Sequence, residues 1–177
     1  DHIRNIAVNC TTPTILSHHI GRSMIARGRG CIVLVGSMGG EQGIARFVSY
    51  GAAKSYEIIL GEGLWYEMRE FGVEAFTYVV GATATPKFIE RMKDFISEDG
   101  SSRLNVSEEH KGSNLNQPRS PEQVAARLFE SFGKGPRCYS HPEDEAKTEG
   151  NRMKTREQLV NEMSNITAAA YTTVAGD

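Results

Sequence analysis

The chain has 177 residues, with 20 Lys and Arg against 22 Asp and Glu, for a formal net charge of −2. Apolar residues make up 39% and charged residues 24%, and this length and composition argue for one globular domain. No basic excess exists to neutralise a phosphate backbone, so nucleic acid is not an expected partner, and no apolar run is long enough to span a bilayer, which excludes a transmembrane helix.

A first helix is predicted over residues 1–27, where Ile3, Ile6, Ala7, Ile15, Leu16, Ile20, Met24 and Ile25 recur at three- and four-residue spacing. Pro13 predicts a kink or break near Thr12. After the Gly28-Arg29-Gly30 turn comes Cys31-Ile32-Val33-Leu34-Val35, an unalternating apolar run that suits a strand buried on both faces of a parallel sheet. Residues 36–43 form a glycine-rich loop. A long helical pattern over 48–71 places Ile58, Ile59, Leu64, Trp65 and Met68 on one broad face. Gly51, Gly61 and Gly63 inside it each cost roughly 1 kcal/mol relative to alanine, which predicts close approach of another backbone. Gly72 suits a C-terminal cap.

A second strand is predicted over 73–80, a loop over 81–86 and a short helix over 86–95. Residues 97–119 are polar and irregular, a pattern of functional lids or of disordered segments. Ser120 and Pro121 supply the N-cap and first position of a helix striped by Val124, Ala125, Leu128, Phe129 and Phe132. Residues 136–141 suggest a third, short strand. The charged stretch 143–157 reads as a solvated face, leading into a last helix with Leu159, Val160, Met163 and Ile166. This alternation predicts an α/β fold with a parallel sheet wound by helices. Three strands make a small sheet whose first strand has an unpaired edge, so the architecture reads as half of a larger one.

Cys10, Cys31 and Cys138 are an odd number at wide spacing without a C-x-x-C pair. A disulfide framework and a zinc site are therefore not expected, and a reducing, cytoplasmic setting is. His18 and His19 have no third ligand nearby in sequence, so no metal is expected there. The N-x-S/T sequons at Asn9, Asn105 and Asn165 read as chance. The opening residue is Asp1 rather than Met, and the expectation is that the beginning of the chain lies elsewhere.

Tyr50 and Lys54, four residues apart, project from one face of the long helix. A phenol with an unperturbed pKa of about 10 is too weak an acid for efficient proton transfer at neutral pH. A neighbouring ammonium favours the phenolate, and a shift to about 7 takes roughly 4 kcal/mol. Alone, the pair is equally an ordinary exposed pair on a helix. Ser37, however, lies at the carboxyl end of the first predicted strand, and the loop from Gly81 to Pro86 at that of the second. Ligands of wound parallel sheets bind beyond those ends. Asn9, just before the Pro13 break, lies where its amide can reach inward.

Asn9, Ser37, Tyr50-Gly51-Ala52-Ala53-Lys54 and Gly81-Ala82-Thr83-Ala84-Thr85-Pro86, in that order, resemble the second half of a short-chain dehydrogenase/reductase. The resemblance runs through the Ser120-Pro121-Glu122 helix and implies the C-terminal half of a doubly wound Rossmann-type fold, read as a single partial domain over 1–177. It implies that Tyr50 is the general acid/base, that Lys54 lowers its pKa and bonds the nicotinamide ribose, and that Ser37 polarises the substrate oxygen. Asn9 would hold a water linking Lys54 to solvent. Gly81, Thr83 and Thr85, with Tyr50 and Lys54, would line the cofactor, Thr85 at the nicotinamide carboxamide. The cofactor is NAD or NADP, undetermined between the two.

The family's proline before Gly81 is Val80 here. Its glycine-rich phosphate loop, its NAD/NADP-selecting residue and its N-N-A-G stretch are not in this sequence. Residues 87–119 match the substrate lid, with Phe88, Ile89, Met92 and Phe95 as an apolar roof over a hydrophobic alcohol or ketone, a steroid or an acyl chain. Helices 1–27 and 48–71 match the faces through which the family forms homodimers or homotetramers. The expected function is alcohol/carbonyl oxidoreduction. The alternative is a truncated, non-redox binding or regulatory partner.

Overall fold

A computed structural model describes residues 2–92 and 118–174. Its parallel strands lie in the order β1 (Gly30–Ser37), β2 (Val73–Val80) and β3 (Arg137–Tyr139). The pairing of β1 with β2 runs unbroken from Gly30 opposite Val73 to Ser37 opposite Val80, so the ends of both strands are level. Alternation along β2 divides the core into two layers. Val73 and Ala75 pack with Met68, Met24, Ile25 and Ile32, and Val79 with Ile58 and Tyr139. Phe76 and Tyr78 point to the opposite layer, against Cys138, Val124 and Leu128. Helices thus cover both faces of the sheet, and the α/β architecture is as the sequence predicts.

β1 departs from its prediction. Only Leu34 and Gly36 are buried in it, and Val35 is 51% exposed. The reason is positional: among the described residues β1 pairs only with β2, so its apolar run is not enclosed as that of β2 is.

The first predicted helix is three pieces: α1 (His2–Ile6), a π-helical turn (Ala7–Thr11) and α2 (Thr12–Arg27). The irregularity falls before Pro13, which occupies the first turn of α2, where its missing N–H is harmless. α3 (Val48–Met68) ends in a 3-10 turn (Arg69–Phe71) capped by Gly72. Its predicted apolar face is only partly correct. Ile58 and Met68 are buried, but Ile59 is 61% exposed, because it lies one position around from the stripe that meets the sheet.

The close backbone approach is real at Gly61, where a Cβ would lie 1.9 Å from Thr77 Oγ1 and 3.2 Å from the Thr77 nitrogen. Gly63 faces open space, so the prediction fails there.

Among the described residues four helices follow: α4 (Pro86–Met92), α5 (Pro121–Glu130), α6 (Pro142–Asn151) and α7 (Arg156–Val174). The predicted continuation of α4 to residue 95, and residues 93–117 of the predicted lid, lie outside the described residues. The charged stretch is not simply a solvated face. It folds into α6, whose first-turn acids suit the positive end of the helix dipole, and Asp144 there is 1% exposed.

At α5 the predicted cap is a reciprocal capping box. The Ser120 hydroxyl accepts from Gln123 N at 3.2 Å, and the Gln123 side chain accepts from Ser120 N at 3.1 Å. Ser120→Ala is expected to cost about 1 kcal/mol, read as a fall of a few degrees in the thermal midpoint. An unchanged midpoint would mean that the cap supports nothing beyond its own turn.

Candidate active site

Ser37 closes β1 with an extended backbone, and its Oγ accepts a hydrogen bond from Gly39 N at 3.1 Å. This bond folds the chain into a 3-10 turn (Met38–Gly40). Tyr50 lies in the first turn of α3, its ring edge-on to Phe47 at 6.4 Å. Both side chains converge on Gly39: the position a Cβ would take there is 3.3 Å from Tyr50 Cε1 and 3.4 Å from Ser37 Oγ. The Tyr50 ring and the Ser37 hydroxyl thus flank the same glycine.

Lys54, one helical turn on, is largely buried. Its Nζ donates to the Val35 carbonyl at 2.9 Å and to Glu57 Oε2 at 2.7 Å. Burial pushes the Glu57 carboxyl above the ordinary carboxylate range, while the bond and charge of Lys54 oppose the rise. Cys10, from the π-helical turn, is pushed up by burial and by the charge of Glu57, with Lys54 opposing.

Asn9 lies in the same π-helical turn as Cys10. Its amide nitrogen donates to Asn5 O at 3.0 Å and Asn5 Oδ1 at 2.6 Å, and no direct bond to Lys54 is found among the described residues. The π-helical turn is the local device that sets Asn9 off the regular helical face.

Beyond β2, Gly81 N donates to Ser140 Oγ at 3.1 Å, and Asp144 lies where a Gly81 Cβ would project. Burial pushes the Asp144 carboxyl up. Thr83 Oγ1 donates to Gly81 O at 3.2 Å, and Arg119 exchanges backbone bonds with Ala82 and Ala84. Thr85 Oγ1 accepts from Phe88 N at 3.2 Å, starting α4. Because Ser37 pairs with Val80, this loop leaves the sheet directly beside the Ser37–Tyr50–Lys54 group.

The connection between Ser37 and Tyr50 is also held from outside. Arg46 has a left-handed φ of 69°, a costly conformation for a non-glycine residue. Ser164 of α7 accepts from Ala45 N at 3.1 Å, and Thr167 donates to Ala45 O at 3.0 Å. The role of α7 and the buried Glu57 were not found by sequence reasoning.

The donor set suits the nicotinamide end of a dinucleotide. Among the described residues Lys54 has two protein acceptors for three N–H donors, and the 81–85 loop is partly open to solvent. The pyrophosphate end finds no such fit in the glycine-rich loop after β1. There the Gly39 N–H is occupied by Ser37, and α3 does not begin until Val48.

The model of the short chain dehydrogenase family matches residues 1–94. The chain belongs to that family. Short-chain dehydrogenase RED1 of Pyricularia oryzae is 40% identical over 79 residues, 45% of this chain and 28% of that protein. A 7beta-hydroxysteroid dehydrogenase of Clostridium sardiniense is 30% identical over 83 residues, 47% of this chain and 32% of its own. A solved structure described for 7beta-hydroxysteroid dehydrogenase stereoselectivity superposes with a TM-score of 0.72 at 22% identity, covering 89% of this chain and 56% of that one. Those matches take in less than a third of either curated relative and a little over half of the solved chain, and the last likeness carries the fold alone.

Proposed function

We propose that this chain carries the catalytic half of an NAD- or NADP-dependent oxidoreductase that interconverts a secondary alcohol and a carbonyl compound. The observation that carries the reading is the meeting of Ser37 and Tyr50 over Gly39, with Lys54 one turn further along the helix face of Tyr50. Tyr50 exchanges the proton with the substrate oxygen, and Ser37 Oγ donates to that oxygen and orients it. Lys54 favours the phenolate and offers its remaining N–H to the nicotinamide ribose. Asn9 anchors the water path to Lys54, and Gly81, Thr83 and Thr85 line the nicotinamide. The bound cofactor supplies or accepts the hydride.

Named dehydrogenases among the relatives support redox chemistry over the non-redox alternative. The hydroxysteroid enzymes among the curated relatives point to a hydrophobic cyclic alcohol as the first substrate to try. Residues 87–119 are the proposed substrate lid; Phe88 is half-buried and Ile89 is 48% exposed in α4, while Phe95 lies outside the described residues.

Exposed Ile3, Ile15 and Ile20 before and along α2, and Ile59 and Tyr66 on α3, support a homodimer or homotetramer through those two helical faces. The three cysteines are free thiols, and no helix among the described residues is long and apolar enough to cross a membrane. The free thiols are in keeping with the reducing cytoplasmic setting proposed for the chain.

The test is to incubate the native protein with a panel of hydroxysteroids and simpler secondary alcohols and either oxidised cofactor. The readout is the near-ultraviolet band of the reduced nicotinamide. Appearance of that band with one of the two cofactors is expected, and its absence across the panel in both reaction directions would overturn the reading.

A further inference from the structure

Glu57 is a carboxylate on the sheet-facing side of α3, where Ala53, Ile58 and Gly61 are its buried companions. It is 6% exposed, and its main-chain oxygen accepts from Thr77 Oγ1 of β2 at 3.2 Å. Its side chain meets Lys54 Nζ at 2.7 Å. From the neighbouring elements, Cys10 of the π-helical turn is the titratable group coupled to the pair. β1 contributes the Val35 carbonyl, which holds Lys54 from the other side.

Two consequences follow for Lys54. An ammonium has three N–H donors, and the carbonyl and the carboxylate take two, leaving one for the site. A carboxylate in contact with the ammonium also cancels part of the positive field that would reach Tyr50. Neither consequence is contained in the spacing of Tyr50 and Lys54.

We propose that Glu57 is a positioning residue that fixes the Lys54 ammonium so that one N–H faces the site, and that it limits how much of the lysine charge Tyr50 feels. This rests on the reading of Tyr50 and Lys54 as the working pair. Glu57→Gln keeps the shape and an oxygen that can accept from Lys54 but removes the charge. Glu57→Leu fills the volume and removes the acceptor as well.

The native protein is labelled with carbon-13 at the tyrosine ring carbon that bears the hydroxyl, and titrated by NMR; Tyr50 is assigned by the signal that Tyr50→Phe removes. In Glu57→Gln the midpoint of that signal is expected to move to lower pH than in the wild type, because the carboxylate charge beside Lys54 is gone. In Glu57→Leu the same downward shift is expected, and it serves as the reading if the glutamine variant does not fold. Superposition of the variant and wild-type curves would overturn the proposal.

In turnover, Glu57→Gln should move the pH profile of kcat/KM for alcohol oxidation the same way with cofactor KM little changed. Glu57→Leu should raise cofactor KM about tenfold as the lysine loses its fixed orientation. Equal cofactor KM in the two variants would overturn the positioning role. A protein that oxidises no alcohol overturns the proposed function instead, and the tyrosine titration still decides on Glu57.

Discussion

Tyr50→Phe is expected to lower kcat about a thousandfold, the loss that accompanies removal of a general acid/base, while the protein stays folded. The second half of that expectation comes from the surroundings of the ring. Tyr50 packs edge-on against Phe47 and beside Gly39, contacts that phenylalanine reproduces. No protein hydrogen bond to the Tyr50 hydroxyl is found among the described residues, so its removal orphans no buried partner.

Stability measured by thermal melting should therefore match the wild type, and cofactor affinity should change by no more than about twofold if the hydroxyl acts mainly in the transition state. The fall should appear equally in kcat and kcat/KM, and the pH limb assigned to the phenol should vanish from the residual rate. Unchanged turnover would remove Tyr50 from the chemistry. A fall accompanied by a lower melting temperature would assign the effect to packing instead.

The placement of Ser37, Tyr50 and Lys54 at this edge was legible in sequence because it depends on residue type at short spacing. Tyr50 and Lys54 share a face by helical periodicity alone, and Ser37 sits at a strand end that β-branched and apolar residues mark out. β2 was equally legible, since six of its eight residues are β-branched or aromatic, the run is bounded by Gly72 and Gly81, and the observed strand has the same ends.

What was not legible depends on how elements meet. Glu57 lies three residues after Lys54, a spacing that elsewhere marks an exposed ion pair on a helix. Its burial is decided by β1 and β2 passing beneath α3. The small neighbours at four-residue intervals, Ala53 and Gly61, were the available signal, because they let the sheet approach that face. Asp144 was hidden in the same way by an acidic run, although only one of its carboxylates turns toward Gly81. Ile59 errs in the other direction: an apolar residue beside a buried stripe is not thereby inside it. The π-helical turn at Asn9 has no distinctive composition, and Pro13 only marked that an irregularity was near.

Gly40→Ala is expected to damage both stability and turnover, because Gly40 sets the distance between the strand that carries Ser37 and the helix that carries Lys54. A Cβ there would lie 2.7 Å from the Lys54 carbonyl carbon, 2.7 Å from Ser55 N and 3.0 Å from Lys54 O. All three are backbone atoms inside a 21-residue helix, so no side chain can rotate away. The Met38–Gly40 turn or α3 must move instead. Overpacking of this kind costs about 1–3 kcal/mol, and displacing reacting groups by about 1 Å lowers turnover by roughly 10²-fold.

The bond between Ser37 Oγ and Gly39 N transmits any shift of the turn to the serine. The Val35 carbonyl on Lys54 resists separation of strand and helix from the other side. Gly43→Ala in the same connection is the control, since its Cβ would meet only Val160 Cγ2 at an ordinary 3.6 Å; melting temperature and kcat should stay near wild type. If Gly40→Ala behaves like that control in both measurements, the spacing of Ser37 and Lys54 is set elsewhere, and the close contact of turn and helix has no part in assembling the site.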